Sequence, residues 1–159
     1  MIGFTLITVG TLKEDYLRRA VAEYEKRLGA YCRPSIVELK EVKLPDSPSK
    51  SEIDSALDSE AEKILAAIPS RAYKVALCVE GRQMSSEKLA ETIESASMTH
   101  SDICFIIGSS YGLSQRVKKA ADLRLSFSEL TFPHQLMRVI CAEAVYLAFT
   151  IIKGTRYHK

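Results

Sequence analysis

The sequence predicts one α/β domain, residues 1–159, in which a mostly parallel sheet is covered by helices on both faces. Short apolar runs of strand length alternate along the chain with segments whose apolar residues recur at helical spacing. This alternation is typical of parallel sheets, because each crossover helix returns the chain to the same end of the sheet. With 159 residues and no internal repeat, the chain is long enough for one hydrophobic core.

The first elements follow this alternation closely. Residues 4–9 are an apolar run and predict a buried strand. Residues 12–28 carry apolar side chains at helical spacing, and Gly29 marks the end of that helix. Polar and apolar residues alternate over residues 35–42, so we expect a half-exposed strand near an edge of the sheet.

The middle of the chain repeats the pattern. Ser49 and Glu52 form a candidate capping box at the start of a helix that Pro69 ends. Residues 73–79 predict a third strand, which is buried, and residues 86–97 a short helix.

The last third of the chain contains two strands and two helices. Residues 103–107 are an apolar strand, and a short helix begins at Ser114. Residues 123–127 form a short strand, and a long helix over residues 133–152 closes the domain. Pro133 suits the first turn of that helix, where a backbone N–H is not needed.

Composition and charge are those of a soluble globular protein. Hydrophobic residues make up 47% of the chain, charged residues 26%, and the net charge is +2. A balance this mild does not by itself indicate nucleic-acid binding. The N-terminus lacks a signal-peptide pattern, and the longest apolar run, residues 139–152, is interrupted by Glu143 and short for a membrane span. We expect a cytoplasmic protein that does not enter a membrane.

Four cysteines, Cys32, Cys78, Cys104 and Cys141, stand on separate predicted elements. None lies near another cysteine or a histidine at zinc-ligand spacing. Three lie in apolar runs, where reduced buried cysteines are common. The pattern predicts reduced thiols, with no metal site and no disulfide.

Three strand ends are predicted to line one crevice, where ligands bind in α/β proteins. They are residues 77–81, 108–112 and 127–132. Gly108 and Gly112 permit a tight turn or a close ligand approach. The turn matches neither the GxGxxG dinucleotide fingerprint nor a P-loop, so we do not expect a phosphate cradle. An ordinary strand-to-helix turn is the alternative interpretation.

The segment after the fifth strand combines hydroxyl groups with aromatic rings. Ser126, Ser128 and Thr131 stand beside Phe127 and Phe132. Such a loop suits a flat apolar ring with a polar edge, which fits the usual lining of a ligand pocket. An ordinary polar loop is an equally good interpretation of the same residues.

The last helix is apolar nearly all round, which predicts a partner subunit. One stripe consists of Leu136, Val139, Ile140, Leu147 and Ile151, and a second of Val145, Phe149 and Ile152. Glu143 lies on the first stripe, and a buried carboxylate needs a partner or a function. Arg138 and the tail residues are its candidate partners, and a structural ion pair with an arginine is the alternative to a catalytic role. We expect His134 to be a cap or packing residue.

The tail and the basic residues each permit two interpretations. His158, between Tyr157 and Lys159, either belongs to a frayed terminus or reaches a substrate. Basic clusters are either solvated helix faces or a positive rim for RNA phosphates. These clusters are Arg18 with Arg19, Lys26 with Arg27, Arg116 with Lys118 and Lys119, and Lys153 with Arg156 and Lys159.

Several motifs in this order resemble one family over essentially the whole chain. They are residues 9–13 (VGTLK), 22–28 (AEYEKRL), 107–113 (IGSSYGL), 125–128 (LSFS), 131–135 (TFPHQ) and 157–159 (YHK). The chain is similar to the H-type methyltransferases of the SPOUT superfamily that modify N3 of a pseudouridine in large-subunit ribosomal RNA. Several motifs at the right spacing make this more specific than a likeness of fold.

The resemblance implies a trefoil-knotted α/β fold, an S-adenosylmethionine cofactor and a homodimer through the last helix. The implied substrate is the helix 69 loop of 23S rRNA in the large ribosomal subunit. The implied cofactor-binding residues are Leu77, Gly108, Gly112, Phe127, Ser128, Glu129, Leu130, Thr131 and Phe132. The tail is implied to complete the active site across the dimer, and the candidate catalytic residues are His158, Glu143, Tyr157 and Arg138. His158 is the first candidate for the base that removes the N3 proton, and Glu143 the second.

Two other functions remain open at this point. One is a SPOUT enzyme that modifies transfer RNA, although the Tyr-His-Lys tail argues against it. The other is a catalytically silent knotted protein that binds RNA or the ribosome.

Three residues depart from the common family pattern. Ser109 stands where a second glycine is usual, and Tyr111 where a smaller or acidic residue is common. Leu147 stands where an arginine is frequent, which argues against a Glu–Arg pair with Glu143 on that helix.

Overall fold

A computed structural model describes residues 1–158 and contains a five-stranded sheet in which every neighbouring pair is parallel. The strands are β1 (Gly3–Val9), β2 (Arg33–Leu39), β3 (Ala72–Arg82), β4 (Asp102–Ile107) and β5 (Leu123–Leu125). The helices are α1 (Asp15–Leu28), α2 (Lys50–Ala67), α3 (Ser86–Ser97), α4 (Gln115–Ala120) and α5 (His134–Lys153). The strand order is β2-β1-β4-β3-β5, and the predicted α/β class is confirmed.

Helices cover both faces of the sheet, as predicted. On one face, α3 and α5 pack over β1 and β4, where Ile93, Cys141 and Val145 meet Phe4 and Phe105. On the other face, α2 and α4 pack over the opposite side chains of the same strands. Burial on both faces explains why β1 and β4 are apolar along nearly their whole length.

The strand at the first edge behaves as its alternating pattern indicates. β2 pairs only with β1, and its side chains alternate between exposed and half-buried positions. The capping box is also present: the Ser49 hydroxyl accepts from the Glu52 amide at 3.1 Å, and the Glu52 carboxylate accepts from the Ser49 amide at 3.0 Å. Helix α2 begins at the residue after Ser49.

Several predicted boundaries are wrong. Strand β2 covers residues 33–39 rather than 35–42, and strand β3 continues to Arg82 rather than ending at residue 79. Two further differences have identifiable reasons. Helix α1 begins at Asp15 rather than at residue 12, because the Leu12 amide donates to the Glu38 carboxylate while its side chain is buried. Strand β5 ends at Leu125, because the following residues turn away into a loop. At the start of α1 a side chain of β2 determines the path of the backbone, and after β5 the Ser126 hydroxyl does so by donating to the Ser128 carbonyl.

Strand β3 pairs with β5 in an irregular way that shapes one edge of the sheet. Leu125 is in register with Leu77 and again with Arg82, so residues 78–81 lie outside the ladder. The Ser126 amide then donates to the Arg82 carbonyl at 3.0 Å. A Cβ atom on Gly81 would lie 2.8 Å from backbone carbons of β5, so only glycine permits this approach.

Helix α5 has 20 residues and is, by length and composition alone, long and apolar enough to cross a membrane. The helix begins before the apolar run of residues 139–152, and its 20 residues are longer than that run, which by itself is short for a membrane span. Its Cys141, Val145 and Phe149 side chains are buried in the core against the sheet and α3. Core packing accounts for the apolar character of that face.

Candidate active site

The carboxyl ends of β3, β4 and β5 open into one cavity with a volume of about 670 Å³. The three segments that the sequence predicts to meet, those after β3, β4 and β5, all line it. Eight residues with an implied cofactor role are in the lining, namely Leu77, Gly108, Gly112, Phe127, Ser128, Leu130, Thr131 and Phe132. Glu129 is exposed and is not part of the lining.

The turn after β4 depends on its two glycines. The Gly112 amide donates to the Ser109 carbonyl at 2.9 Å, and Gly112 has a φ of +90°, which disfavours any residue with a side chain. A Cβ atom on Gly108 would lie 2.2 Å from the Gly112 carbonyl oxygen. Gly108 is therefore required by the turn itself, before any ligand is considered.

The hydroxyl groups of the loop after β5 first stabilise the loop. The Ser126 hydroxyl donates to the Ser128 carbonyl at 3.0 Å, and the Leu130 amide donates to the Ser128 hydroxyl oxygen at 2.9 Å. Part of the hydrogen-bonding capacity of these hydroxyl groups is therefore used within the loop. The Ser128 hydroxyl retains its own hydrogen as a donor, and the Thr131 side chain is exposed at the cavity.

Sequence reasoning missed several residues of the lining. Lys118 on α4 reaches the cavity and forms an ion pair with Glu80, which belongs to the predicted strand end at residues 77–81. His134 and Met137 enter from the first turn of α5. The i, i+3 spacing of the last two, directly after the predicted loop, was the available signal.

His134 is held neutral near pH 7. Burial lowers the pKa of this imidazole below its usual value, and the nearby Arg138 guanidinium lowers it further, against a smaller opposing effect of Glu41. A neutral ring can donate one hydrogen bond and accept another. The cavity therefore has a neutral polar group at the amino end of α5.

The two departures in the turn after β4 have different surroundings. Ser109 is buried beside the Glu60 carboxyl group, which also accepts from the Val42 amide at 3.2 Å. Burial raises the pKa of Glu60, and the Val42 amide and the Ser109 side chain counteract that rise. Tyr111 is 45% exposed at the rim of the cavity. Ser109 thus contacts the scaffold, whereas Tyr111 faces the opening.

Glu143 is satisfied by tyrosines. The Tyr157 hydroxyl donates to both of its carboxylate oxygens, at 3.0 and 3.1 Å. Burial raises the pKa of Tyr24 to about 12, and a hydrogen bond with Glu143 contributes to the shift. Glu143 lines a second, smaller cavity of about 250 Å³ that shares Phe127 with the first.

The tail lies against its own subunit, away from the main cavity. The His158 Nε2 atom lies 2.7 Å from a carboxylate oxygen of Glu87, at the start of α3. None of the four candidate catalytic residues lines the main cavity. Lys159 lies outside the described residues.

Comparison with known proteins agrees with this architecture. Residues 2–158 match the family described as "Predicted SPOUT methyltransferase". The chain belongs to this family. It is 50% identical over 155 residues to ribosomal RNA large subunit methyltransferase H of Streptococcus thermophilus strain LMD-9, covering 97% of this chain and 98% of the relative.

Two further comparisons extend this finding. Proteins of the same name from Limosilactobacillus reuteri strain DSM 20016 and Bacillus pumilus are 48% and 46% identical over 159 residues, covering 99% of this chain and all of each relative. A solved structure of a probable methylase family protein from Haemophilus influenzae aligns with a TM-score of 0.54 at 13% identity. That alignment covers 99% of this chain and 71% of the other and shows the fold alone.

Arg138 does not pair with Glu143, and that hypothesis is wrong. Its guanidinium is 1% exposed, lies 2.6 Å from the Glu38 carboxylate, and donates to the Val9 and Gly10 carbonyls at 3.2 and 2.9 Å. Arg138 and Glu143 are five residues apart on α5 and project from different sides of the helix. Arg138 links the start of α5 to the ends of β1 and β2.

Replacing Arg138 with alanine is expected to reduce the free energy of unfolding by about 3 kcal/mol. The change removes the guanidinium donor from the Val9 and Gly10 carbonyls, leaves the Glu38 carboxylate with only the Leu12 amide, and creates a void in the core. Urea denaturation at equal protein concentration measures the loss. Arg19→Ala, at an exposed position of α1, is the control and should change stability by less than about 0.5 kcal/mol. Equal stability of the two variants would contradict the structural role.

Proposed function

We propose that this SPOUT methyltransferase transfers a methyl group to large-subunit ribosomal RNA, at N3 of a pseudouridine in the helix 69 loop of 23S rRNA. The observation that carries the proposal is the cavity at three parallel strand ends, in a chain that matches ribosomal RNA large subunit methyltransferase H proteins over their full length. The ribosome is the implied partner, and the cytoplasm the implied location.

The cavity suits S-adenosylmethionine as cofactor. A volume of about 670 Å³ is in the range of small-molecule sites. Apolar side chains such as Leu77 and Phe127 fit a flat ring, and the Ser128 hydroxyl and the backbone of the two loops provide polar contacts. No atom lies within 4 Å of the position that a Cβ atom on Gly112 would take, so a ligand can approach the backbone closely there. When bound, the cofactor supplies an electrophilic methyl group on a sulfonium.

The chain's own residues must position the target base and accept its N3 proton. A base within hydrogen-bond reach of the N3–H assists this transfer. His158 is the first candidate, with Glu87 orienting its ring, and Glu143 is the second. Tyr157 contacts Glu143 and so fixes the tail beside it.

A homodimer through α5 completes this arrangement. Val145 and Phe149 are buried, whereas the stripe with Leu136, Ile140 and Leu147 remains partly exposed in the single chain. Docking of a second copy onto this stripe covers it and places each tail beside the partner subunit. The tail then reaches a cavity that it does not line in its own subunit.

Replacing Gly108 with valine is expected to abolish cofactor binding, because its side chain collides with the Gly112 backbone. Calorimetry with S-adenosylmethionine measures binding, and mass spectrometry of 23S rRNA from cells that lack the gene measures the methyl group after complementation. Wild type should restore the methylated pseudouridine and Gly108→Val should not. Gly29→Ala, at a helical φ of −58°, is the control. Unchanged cofactor affinity in Gly108→Val would refute the cofactor site. A 23S rRNA of equal mass in cells with and without the gene would refute the proposed substrate.

Replacing Leu147 with glutamate is expected to convert a dimer into a monomer at micromolar concentration. Each large side chain that the interface buries contributes roughly 1.5–3 kcal/mol, and a carboxylate at its centre is costly to desolvate. Light scattering measures the mass. Met98→Glu, which is 78% exposed at the end of α3, should remain dimeric. A monomeric wild-type protein would overturn the dimer.

Deleting residues 157–159 is expected to preserve folding and dimerisation but strongly reduce methyl transfer. His158→Ala alone should lower kcat by about 100-fold, in the range for loss of a general base, with little change in cofactor affinity. The loss should shrink at high pH, where the target imide loses its proton without help. His100→Ala, at the opposite end of the sheet, is the control. Normal turnover of the truncated protein would show that Glu143 or water, and not His158, accepts the N3 proton of the target base.

A further inference from the structure

A second groove lies beyond the β5 edge of the sheet. It has a volume of about 600 Å³ and is lined by charged side chains from three elements. Arg82 comes from the end of β3, Lys118 and Lys119 from α4, and Arg124 from β5. Glu80 and Asp122 are the acidic residues of the lining.

Both acids already have basic partners. Glu80 pairs with Lys118, and Asp122 accepts from the Lys74 amide at 2.8 Å and lies 3.3 Å from its ammonium. Arg82, Lys119 and Arg124 are exposed and take part in none of the ion pairs or side-chain hydrogen bonds among residues 1–158. Three cations thus face one groove without a protein partner.

The basic cluster at residues 116–119 predicts only part of this surface, because Lys118 and Lys119 line the groove and Arg116 does not. Arg116 is occupied by Asp58 and Glu62 on α2, at 2.8 and 2.7 Å, and faces away from the groove. Only Lys119 of that cluster is unpaired. The two arginines join it from distant parts of the sequence because β3 and β5 are neighbours in the sheet.

The groove is continuous with the candidate active site. Glu80 and Lys118 line both the groove and the main cavity, so their ion pair lies at the boundary where the two adjoin. A polymer bound in the groove therefore passes directly beside the opening of the cavity. A small ligand could bind in the groove alone, whereas a polymer can extend from the groove to the cavity.

We propose that this groove binds the phosphate backbone of the RNA substrate next to the methylated nucleotide. The inference rests on the proposed function, because that function supplies the RNA. Guanidinium and ammonium groups bind phosphate strongly, and guanidinium does so through two parallel hydrogen bonds. The net charge of the chain is only +2, so a local cluster of unpaired cations is where an RNA backbone gains most from binding.

The test compares wild type with a triple variant, Arg82→Gln, Lys119→Gln and Arg124→Gln. The control is Lys43→Gln, Lys50→Gln and Lys63→Gln, which removes the same charge from exposed positions on and before α2. The probe is the large ribosomal subunit from cells that lack the gene. Co-sedimentation at several salt concentrations measures binding, radiolabelled methyl transfer measures KM and kcat, and calorimetry measures S-adenosylmethionine affinity.

The groove variant should bind subunits roughly tenfold or more weakly, with a corresponding rise in KM. The slope of log affinity against log salt should fall by about 2, as for loss of three phosphate contacts on single-stranded RNA. Cofactor affinity should not change, because none of the three residues lines the cavity. Lys119→Glu, a single change on α4, should give a smaller effect of the same kind and guards against misfolding of the triple variant.

Different failures identify different errors. If wild type methylates the subunits and both triple variants share its KM and salt slope, the groove is not an RNA site and the proposed function stands. If the groove variant loses cofactor affinity, its effect passes through the cavity and the proposal is overturned. If wild type binds and methylates no subunits, the RNA substrate itself is wrong.

Discussion

The pairing of β5 with β3 is the contact on which both sites depend. The three residues of β5 pair with residues 75–77 of β3, and Leu125 pairs again with Arg82, so residues 78–81 project from the sheet. This irregularity needs Gly81, where any side chain would collide with the β5 backbone. It brings the ends of β3 and β5 together with the turn after β4, and it places Arg82 and Arg124 on one groove. Loss of this register would disrupt both the lining of the cavity and the basic surface of the groove.

The loops around the cavity are largely stabilised by their own hydrogen bonds. The turn after β4 closes through Ser109 and Gly112, and the loop after β5 through Ser126 and Ser128. Loops organised in this way lose little conformational entropy when a ligand binds. The polar groups that remain for a ligand include the unused hydrogen-bonding capacity of the Ser128 hydroxyl, the backbone, the Thr131 side chain and the neutral His134 ring.

Two features of the single chain support the proposed homodimer. Helix α5 leaves one apolar stripe partly exposed, and the tail lies beside Glu143 and Glu87 rather than in the main cavity. Both features lie on the same side of the molecule. In the homodimer that we propose, a second copy docked there covers the stripe, and each tail lies beside the cavity of the partner subunit.

The sequence by itself determined the type and order of every element, because apolar periodicity records which faces are buried. It also located the three strand ends and the glycine turn of the cavity, since glycine and loop composition are local signals. Only the three-dimensional contacts show that Arg138 bonds to Glu38, 100 residues away, that Tyr157 rather than Arg138 is the partner of Glu143, and that Arg82 and Arg124 share a groove. These contacts depend on strand order and on the β3–β5 register. Periodicity cannot encode either, because it describes one element at a time and not which elements become neighbours.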